Sequence, residues 1–129
     1  MRIIIAAICL AGSCLPAFAG YGDVITPTQS LSNVNFCMTV EGRATIEPAW
    51  GGRQGMQMTL DDGNVKLIGY IPAPNAFPDL MSLDGQTVQL TGVVQMDYGR
   101  PEIWMNSADY VWLAGNAPSD RLIHCRNSG

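Results

Sequence analysis

Charged residues, and basic residues above all, are scarce in this chain. Only 14% of its 129 residues are Asp, Glu, Lys or Arg, and 7 basic residues stand against 11 acidic ones. A protein that neutralises nucleic-acid phosphates or anionic lipids needs a basic surface, so the formal net charge of −4 argues against both functions. The chain has one histidine, and no internal repeat, charge run or low-complexity block. This composition predicts one small globular domain.

Long apolar runs are confined to the N-terminus. A positive charge at Arg2, an apolar stretch over residues 3–10 and the small-x-small triplet Ala-Phe-Ala over residues 17–19 follow one another in that order. This order predicts a cleaved secretory signal over residues 1–19, and the apolar stretch is too short to span a membrane. We therefore expect a periplasmic or secreted protein with no transmembrane segment. Lipid attachment at Cys14 is the alternative, but it lacks the leucine usual three residues before the cysteine.

The chain has only four cysteines, and two of them, Cys9 and Cys14, would leave with the signal. Cys37 and Cys125 would remain in an oxidising compartment, where we expect them to form a disulfide. Closing a loop of about 90 residues stabilises a fold by roughly 4 kcal/mol in the chain-entropy model. The alternatives are two free thiols, or a metal pair with His124, which offers too few ligands for a closed site.

Alternating apolar and polar residues indicate a mostly-β domain. Residues 20–35 are rich in Gly, Thr, Ser and Asn and predict a flexible lead-in, and residues 114–129 predict a polar tail that the disulfide tethers. One short helix is expected within residues 73–83, with Pro78 in its first turn. Mid-strand Gly42 and Gly92 predict bulges or sharp coils. Strands are predicted over residues 36–46, 56–60, 65–71, 87–96, 102–106 and 110–113.

The segment over residues 83–103, LDGQTVQLTGVVQMDYGRPEI, carries a family resemblance. It resembles the C-terminal half of OB-fold nucleic-acid-binding-like domains, in which a G-x-x-V-x-V-x-G-x-V segment leads to a Y-x-G-R-P-E-I hairpin. The resemblance implies an all-β, five-stranded OB-fold barrel over residues 36–113, with a short helix between strands 3 and 4. OB barrels bind oligonucleotides, oligosaccharides, metals or proteins, so the fold by itself does not identify a ligand.

Two loops of such a barrel flank its usual binding face, namely those joining strands 1 and 2 and strands 4 and 5. The first loop holds Trp50 and Arg53, and the second holds Tyr98 and Arg100. A planar ring and a guanidinium on each side of one cleft would form a stacking platform for a base, a sugar ring or a peptide aromatic. We therefore expect these four residues to contact the ligand.

A structural role for the same residues is the alternative. Trp50 would then fold over the end of the barrel as a plug, and Arg100 would pair with Glu102 or Asp97 to hold the hairpin. Exposure of the tryptophan and the partners of the arginine distinguish these two interpretations.

The expected function is that of an exported, non-enzymatic binding or accessory module without a cofactor. Six basic residues against 11 acids in the cleaved chain make a cationic track for nucleic acid difficult to build, so a protein or glycan of the cell envelope is the favoured partner. No Gly-rich phosphate loop precedes a helix, and the lone His124 has no Ser or Cys motif around it.

A copper(I) or silver(I) carrier is the alternative function. Met56-Gln57-Met58 resembles the Met-x-Met pair of a small periplasmic OB-barrel metallochaperone, and thioethers select Cu(I). That family places its tryptophan close before the pair, whereas Trp50 lies six residues before Met56, and the only histidine is in the tail. The competing prediction is that both methionines share the core-facing parity of Leu60 and fill the barrel.

Overall fold

The structure, a computed structural model, describes residues 24–116. The predicted signal peptide and Cys125 lie outside the described residues, so neither the cleavage nor the disulfide is tested, and both stay predictions. Within these residues, eight strands make up the β-structure: β1 Val24–Ile25, β2 Cys37–Pro48, β3 Met56–Asp61, β4 Lys66–Ile71, β5 Thr87–Val93, β6 Gln95–Asp97, β7 Arg100–Trp104 and β8 Val111–Leu113. Five of the six predicted strands are present with bounds shifted by a few residues at most, whereas the strand predicted over residues 87–96 is divided into β5 and β6, which pair with different strands.

All the strands belong to one sheet, in the order β6-β7-β4-β3-β2-β5-β8, with β1 added parallel to β2. The prediction of a closed barrel of five strands is not confirmed, because in the described part of the chain the sheet has eight strands and is open. Strands β5 and β7 instead meet by side-chain packing. A Cβ atom at Gly92 would overlap the Ile103 side chain, so glycine is what allows the two strands to approach this closely.

The long strand β2 joins the two halves of the sheet. It pairs antiparallel with β5 through residues 37–43 and with β3 through residues 43–48. This exchange of partners next to Gly42 agrees with the predicted coil at that glycine. The predicted core parity is also confirmed, since Met38, Val40, Ala44 and Ile46 are all buried. Around them, side chains from the other strands, and Met105 directly after β7, complete the core: Met58, Leu60, Leu67, Ile71, Val88, Leu90, Ile103 and Met105.

The prediction of a flexible lead-in is wrong for residues 24–35. Ile25 of β1 is buried in the core, and a one-turn helix, α1 (Pro27–Ser30), follows it. Thr26 caps this helix, because its hydroxyl accepts from the Gln29 backbone N–H while the Gln29 side chain accepts from the Thr26 N–H. The Thr-Pro-x-Gln pattern is a capping signal with proline at the first helical position, which composition alone conceals.

The helix is held against the turn between β3 and β4. The backbone N–H and hydroxyl of Thr28 both donate to Asp62 Oδ2, at 2.8 and 2.6 Å. The backbone N–H groups of Asn64 and Val65 donate to the other carboxylate oxygen. Burial acts to raise the pKa of Asp62, but the hydrogen bonds, that from the Thr28 side chain foremost, hold it well below its usual value. The N-terminal segment is therefore part of the domain.

The expected helix between β4 and β5 is replaced by two 3-10 turns, Pro74–Ala76 and Leu80–Leu83. Asp79 adopts a left-handed backbone (φ 59°) between them, which interrupts any continuous helix. Phe77 and Leu80 are buried, so the segment still closes over the core. Within residues 24–116, no helix has the length and apolar character needed to cross a membrane.

Candidate ligand-binding face

The loop between β2 and β3 presents Trp50 to solvent. A hydrogen bond from Ala49 N–H to Gly55 O closes the loop at 3.1 Å, and a 3-10 turn over Trp50–Gly52 fills it. The Trp50 backbone N–H donates to Gln57 Oε1 at 3.0 Å, which fixes the loop to β3. With the backbone held in this way, the Trp50 side chain is left 59% exposed. The indole is therefore not the buried plug of the alternative interpretation.

The hairpin between β6 and β7 presents Tyr98. Asp97 and Arg100 are paired across it, and both residues of its two-residue turn, Tyr98 (φ 51°) and Gly99 (φ 77°), have positive φ. Such a turn matches the twist of the flanking strands. Tyrosine in a left-handed conformation is uncommon, and here its ring is 83% exposed.

The two loops bring these side chains together, as the sequence predicts. The ring centroids of Trp50 and Tyr98 lie 6.4 Å apart in an edge-to-face arrangement at 63°, and Arg100 Cζ lies 5.0 Å from the Trp50 ring centroid. We call Trp50, Tyr98 and Arg100 the aromatic platform. Beside it is a shallow cavity of about 320 Å³, which is lined by both rings and by Gly51, Arg53 and Asp97. Arg100 thus contacts the Trp50 ring, whereas Glu102 and Asp97 form their ion pairs with Arg53.

Arg53, the fourth predicted residue, does not join the platform. Its Nη1 atom donates to Glu102 Oε2 at 2.8 Å and to Asp97 Oδ2 at 3.1 Å, while its Cζ atom lies 3.7 Å from the centroid of the Tyr70 ring. The hydrogen bond to Glu102 raises the pKa of Arg53 above its ordinary value, against the opposing effect of burial. Among residues 24–116, Arg53 makes both of the ion pairs. These ion pairs hold Arg53 in place, and the same side chain lines the shallow cavity beside the platform, so its contact with ligand stays a prediction.

The groups around Arg53 form a brace under the platform, which we call the Arg53 clasp and define by Arg53, Tyr70, Asp97, Glu102 and Trp104. Tyr70 and Trp104 meet edge to face at 5.0 Å, and the Trp104 indole N–H donates to Glu102 Oε1 at 3.0 Å. Sequence reasoning missed Tyr70 and Trp104 as members. In the sequence they are marked only by the alternation of each strand, which sets them on the face opposite to the residues that pack in the core.

A groove of about 350 Å³ adjoins the platform on the face of β2, β3 and β4. Glu47 Oε2 accepts hydrogen bonds from Gln57 Nε2 at 3.2 Å and from Thr59 Oγ1 at 3.0 Å. Gln57 and Thr59 are buried, so these polar groups are fixed in place. Seven of the ten residues that line the groove are polar or charged: Thr45, Glu47, Gln57, Thr59, Asp61, Lys66 and Arg100, beside Pro48, Trp50 and Ile68.

The methionine pair of the copper-carrier alternative does not form an accessible site. Met58 has no exposed surface and packs in the hydrophobic core, as the core-parity prediction requires, while Met56 packs against the core from its edge. An ion arriving from solvent would reach the Met58 sulfur only if the core opened. Within the described part of the chain, no group of three or more His, Cys, Asp or Glu residues is placed to hold a metal ion.

No family model matches the chain, and a search of the curated proteins finds no match. Among solved structures, the chain is similar to a protein from Leishmania major Friedlin assigned as an aspartyl-tRNA synthetase, at 12% identity and a TM-score of 0.50. That similarity covers 85% of this chain but only 26% of the other. The second OB-fold domain of replication protein A from Methanococcus maripaludis is similar over 73% of this chain and 92% of that one, at 16% identity and a TM-score of 0.42. Likeness at these identities concerns the fold alone.

Proposed function

We propose that this chain is an exported, non-enzymatic binding module that takes its ligand on the aromatic platform. The observation that carries the proposal is the pairing of two exposed rings, 59% and 83% accessible, from two separate loops. Large aromatic side chains are seldom left in water in contact with each other unless they serve as a contact surface. The Arg53 clasp supports this role, because it keeps the hairpin next to the loop, and its members Arg53 and Asp97 line the cavity beside both rings.

The compartment and the partner class belong to the same proposal. The signal-like N-terminus supports a location in the periplasm or outside the cell, and the acidic balance favours a protein or a glycan of the envelope over nucleic acid. Cell fractionation with a C-terminal tag tests the first point. Recovery of the tagged chain in the cytoplasm, with residues 1–19 retained, would contradict export.

Substitution of the two rings tests the platform. Trp50→Ala and Tyr98→Ala should each weaken binding by roughly 1–3 kcal/mol, about 5- to 150-fold, which is the range for stacking on a ring. Stability should change little, because both side chains are mainly in water. Phe36→Ala is the matched control, since Phe36 is 58% exposed but outside the platform. Binding is measured with neutral hexasaccharides, with a short single-stranded oligo(dT) and with the envelope protein fraction.

Two outcomes would refute the platform. One is a stability loss of about 3–5 kcal/mol in both ring variants, the cost of truncating a buried ring, which would make them core residues. The other is that no probe binds the wild-type chain, or that the bound probe is indifferent to both substitutions.

A further inference from the structure

The groove beside the platform has fixed polar groups on its floor that the stacking of a single ring does not use. Glu47, Gln57 and Thr59 are linked by hydrogen bonds of 3.0–3.2 Å, so their positions are set before any ligand arrives. Gln57 is tied in addition to the Trp50 backbone. This hydrogen bond therefore joins the loop that carries Trp50 to the floor of the groove. A volume of about 350 Å³ is at the small end of the range for ligand pockets and suits one or two pyranose rings.

The charges in this groove cancel. Glu47 and Asp61 contribute two carboxylates, and Lys66 and Arg100 contribute two cations. Asp61 and Lys66 are cross-strand partners in β3 and β4, so opposite charges lie side by side at the end of the strands. A strand of nucleic acid needs an uninterrupted cationic track, and carboxylates along its path would repel each phosphate.

The same groups match a ligand rich in hydroxyls. An ionised carboxylate only accepts hydrogen bonds, with about four acceptor positions, and Glu47 has used two of them on Gln57 and Thr59. Hydroxyl donors form short, strong bonds to such a group. Lys66 and Arg100 can donate hydrogen bonds to the oxygen atoms of the same hydroxyl groups. The exposed part of Trp50 supplies an apolar surface on which a sugar ring can pack.

We propose that the groove and the platform together bind a neutral oligosaccharide, with a sugar ring against Trp50 and its hydroxyls on Glu47 and Lys66. This inference rests on the proposed function and names its ligand class. An oligonucleotide would be repelled by the two carboxylates of the groove, and a basic peptide would be repelled by its two cations.

The first experiment compares probe classes on the full chain. Neutral hexasaccharides of β-1,4-glucose, α-1,4-glucose and β-1,4-N-acetylglucosamine are titrated beside a short oligo(dT) and a short oligolysine, with binding followed by calorimetry. At least one hexasaccharide should bind, and its affinity should change less than about twofold between about 0.05 and 0.5 M NaCl, because no counterions are released. Binding of oligo(dT) or oligolysine but of no hexasaccharide would overturn the inference.

The second experiment uses a matched pair of substitutions. Glu47→Gln keeps the shape of the side chain but removes the anionic acceptor, and it should weaken hexasaccharide binding about tenfold. Glu41→Gln is the control, because Glu41 lies on the same strand and accepts from Gln89 at 2.9 Å, as Glu47 does from Gln57, but is outside the groove. If Glu47→Gln does not fold, Lys66→Ala, at an exposed position, is the second test, and it should also weaken hexasaccharide binding.

The outcomes separate this inference from the proposed function. If Glu47→Gln and Lys66→Ala bind the hexasaccharide as well as Glu41→Gln does, the groove is not the subsite. If only oligo(dT) binds and Trp50→Ala abolishes that binding, the platform stands and the glycan assignment falls. If the envelope protein fraction alone binds and Trp50→Ala weakens that binding, the platform again stands and the glycan assignment falls. If neither these probes nor the envelope protein fraction binds, both fall.

Discussion

Replacing Arg53 with methionine should cost about 3 kcal/mol of the free energy of unfolding. The substitution keeps an unbranched side chain against the Tyr70 ring but removes the charge that faces Glu102. Glu102 is only 3% exposed, so its carboxylate would be left in the protein interior without a cation. Removing one partner of a buried ion pair costs roughly 3–5 kcal/mol, chiefly because the other charge stays buried.

Two features place the expected value at the low end of that range. The Arg53 side chain is 27% accessible and that of Asp97 is 32%, so the bond between these two is screened by solvent and contributes less than about 1 kcal/mol. Glu102 also keeps the hydrogen bond from the Trp104 indole at 3.0 Å, which partly solvates it. Loss of the cation–π contact with Tyr70 adds about 1 kcal/mol.

Urea denaturation followed by fluorescence measures the effect. Arg43→Met is the control, because Arg43 is exposed on β2, and a surface substitution of this kind changes stability by about 0.5 kcal/mol or less. Adding Glu102→Gln to Arg53→Met should recover part of the lost free energy of unfolding, since it removes the buried carboxylate charge that has no cation. A loss below about 1 kcal/mol for Arg53→Met, or a further loss on adding Glu102→Gln, would refute the buried-charge argument.

Three further outcomes are expected. Gly55→Ala should destabilise the fold by about 1–3 kcal/mol in thermal melts, because φ is +98° and a Cβ would overlap the backbone at the end of β4, whereas Gly51→Ala, also at positive φ but with open space around it, should cost less. Asp62→Asn should lower stability by about 1–2 kcal/mol at neutral pH. Because the pKa of Asp62 is lower in the folded state than its unfolded value near 4, its contribution to the free energy of unfolding is complete above about pH 5 and is lost as the pH falls. The stability of Asp62→Asn should therefore fall less steeply than that of the wild type between about pH 5 and acid pH. An equally steep fall in both proteins would contradict this. Cys37→Ser should lower the melting temperature as much as Cys125→Ser does, and two alkylatable thiols in the exported wild-type chain would rule out the disulfide.

The mostly-β fold and its strands follow from local patterns. Period-two alternation predicts the strands, and the Asp-Asp-Gly-Asn segment after Leu60 predicts the β3–β4 turn, because both signals depend on neighbouring residues only. The burial of Met58 follows from the same parity. The capping pattern beginning at Thr26 is equally local, but a helix of four residues is not stable alone. Its contact with Asp62 comes from the folded domain, so composition predicted a flexible lead-in instead.

The sequence by itself determined that two loops each carry one aromatic residue and one arginine, and that Trp50 and Tyr98 were candidates for a shared surface. Only the tertiary structure decided which arginine supports that surface. Parallel pairing of β4 with β7 sets Tyr70 opposite Trp104, and Arg53 inserts there to meet Glu102, leaving Arg100 for the platform. Residues 53 and 102 are far apart in the chain, and no local signal distinguishes two arginines beside two rings. Strand register and the course of the β2–β3 loop together make that choice, because register sets the position of Glu102 and the loop brings the Arg53 guanidinium to it.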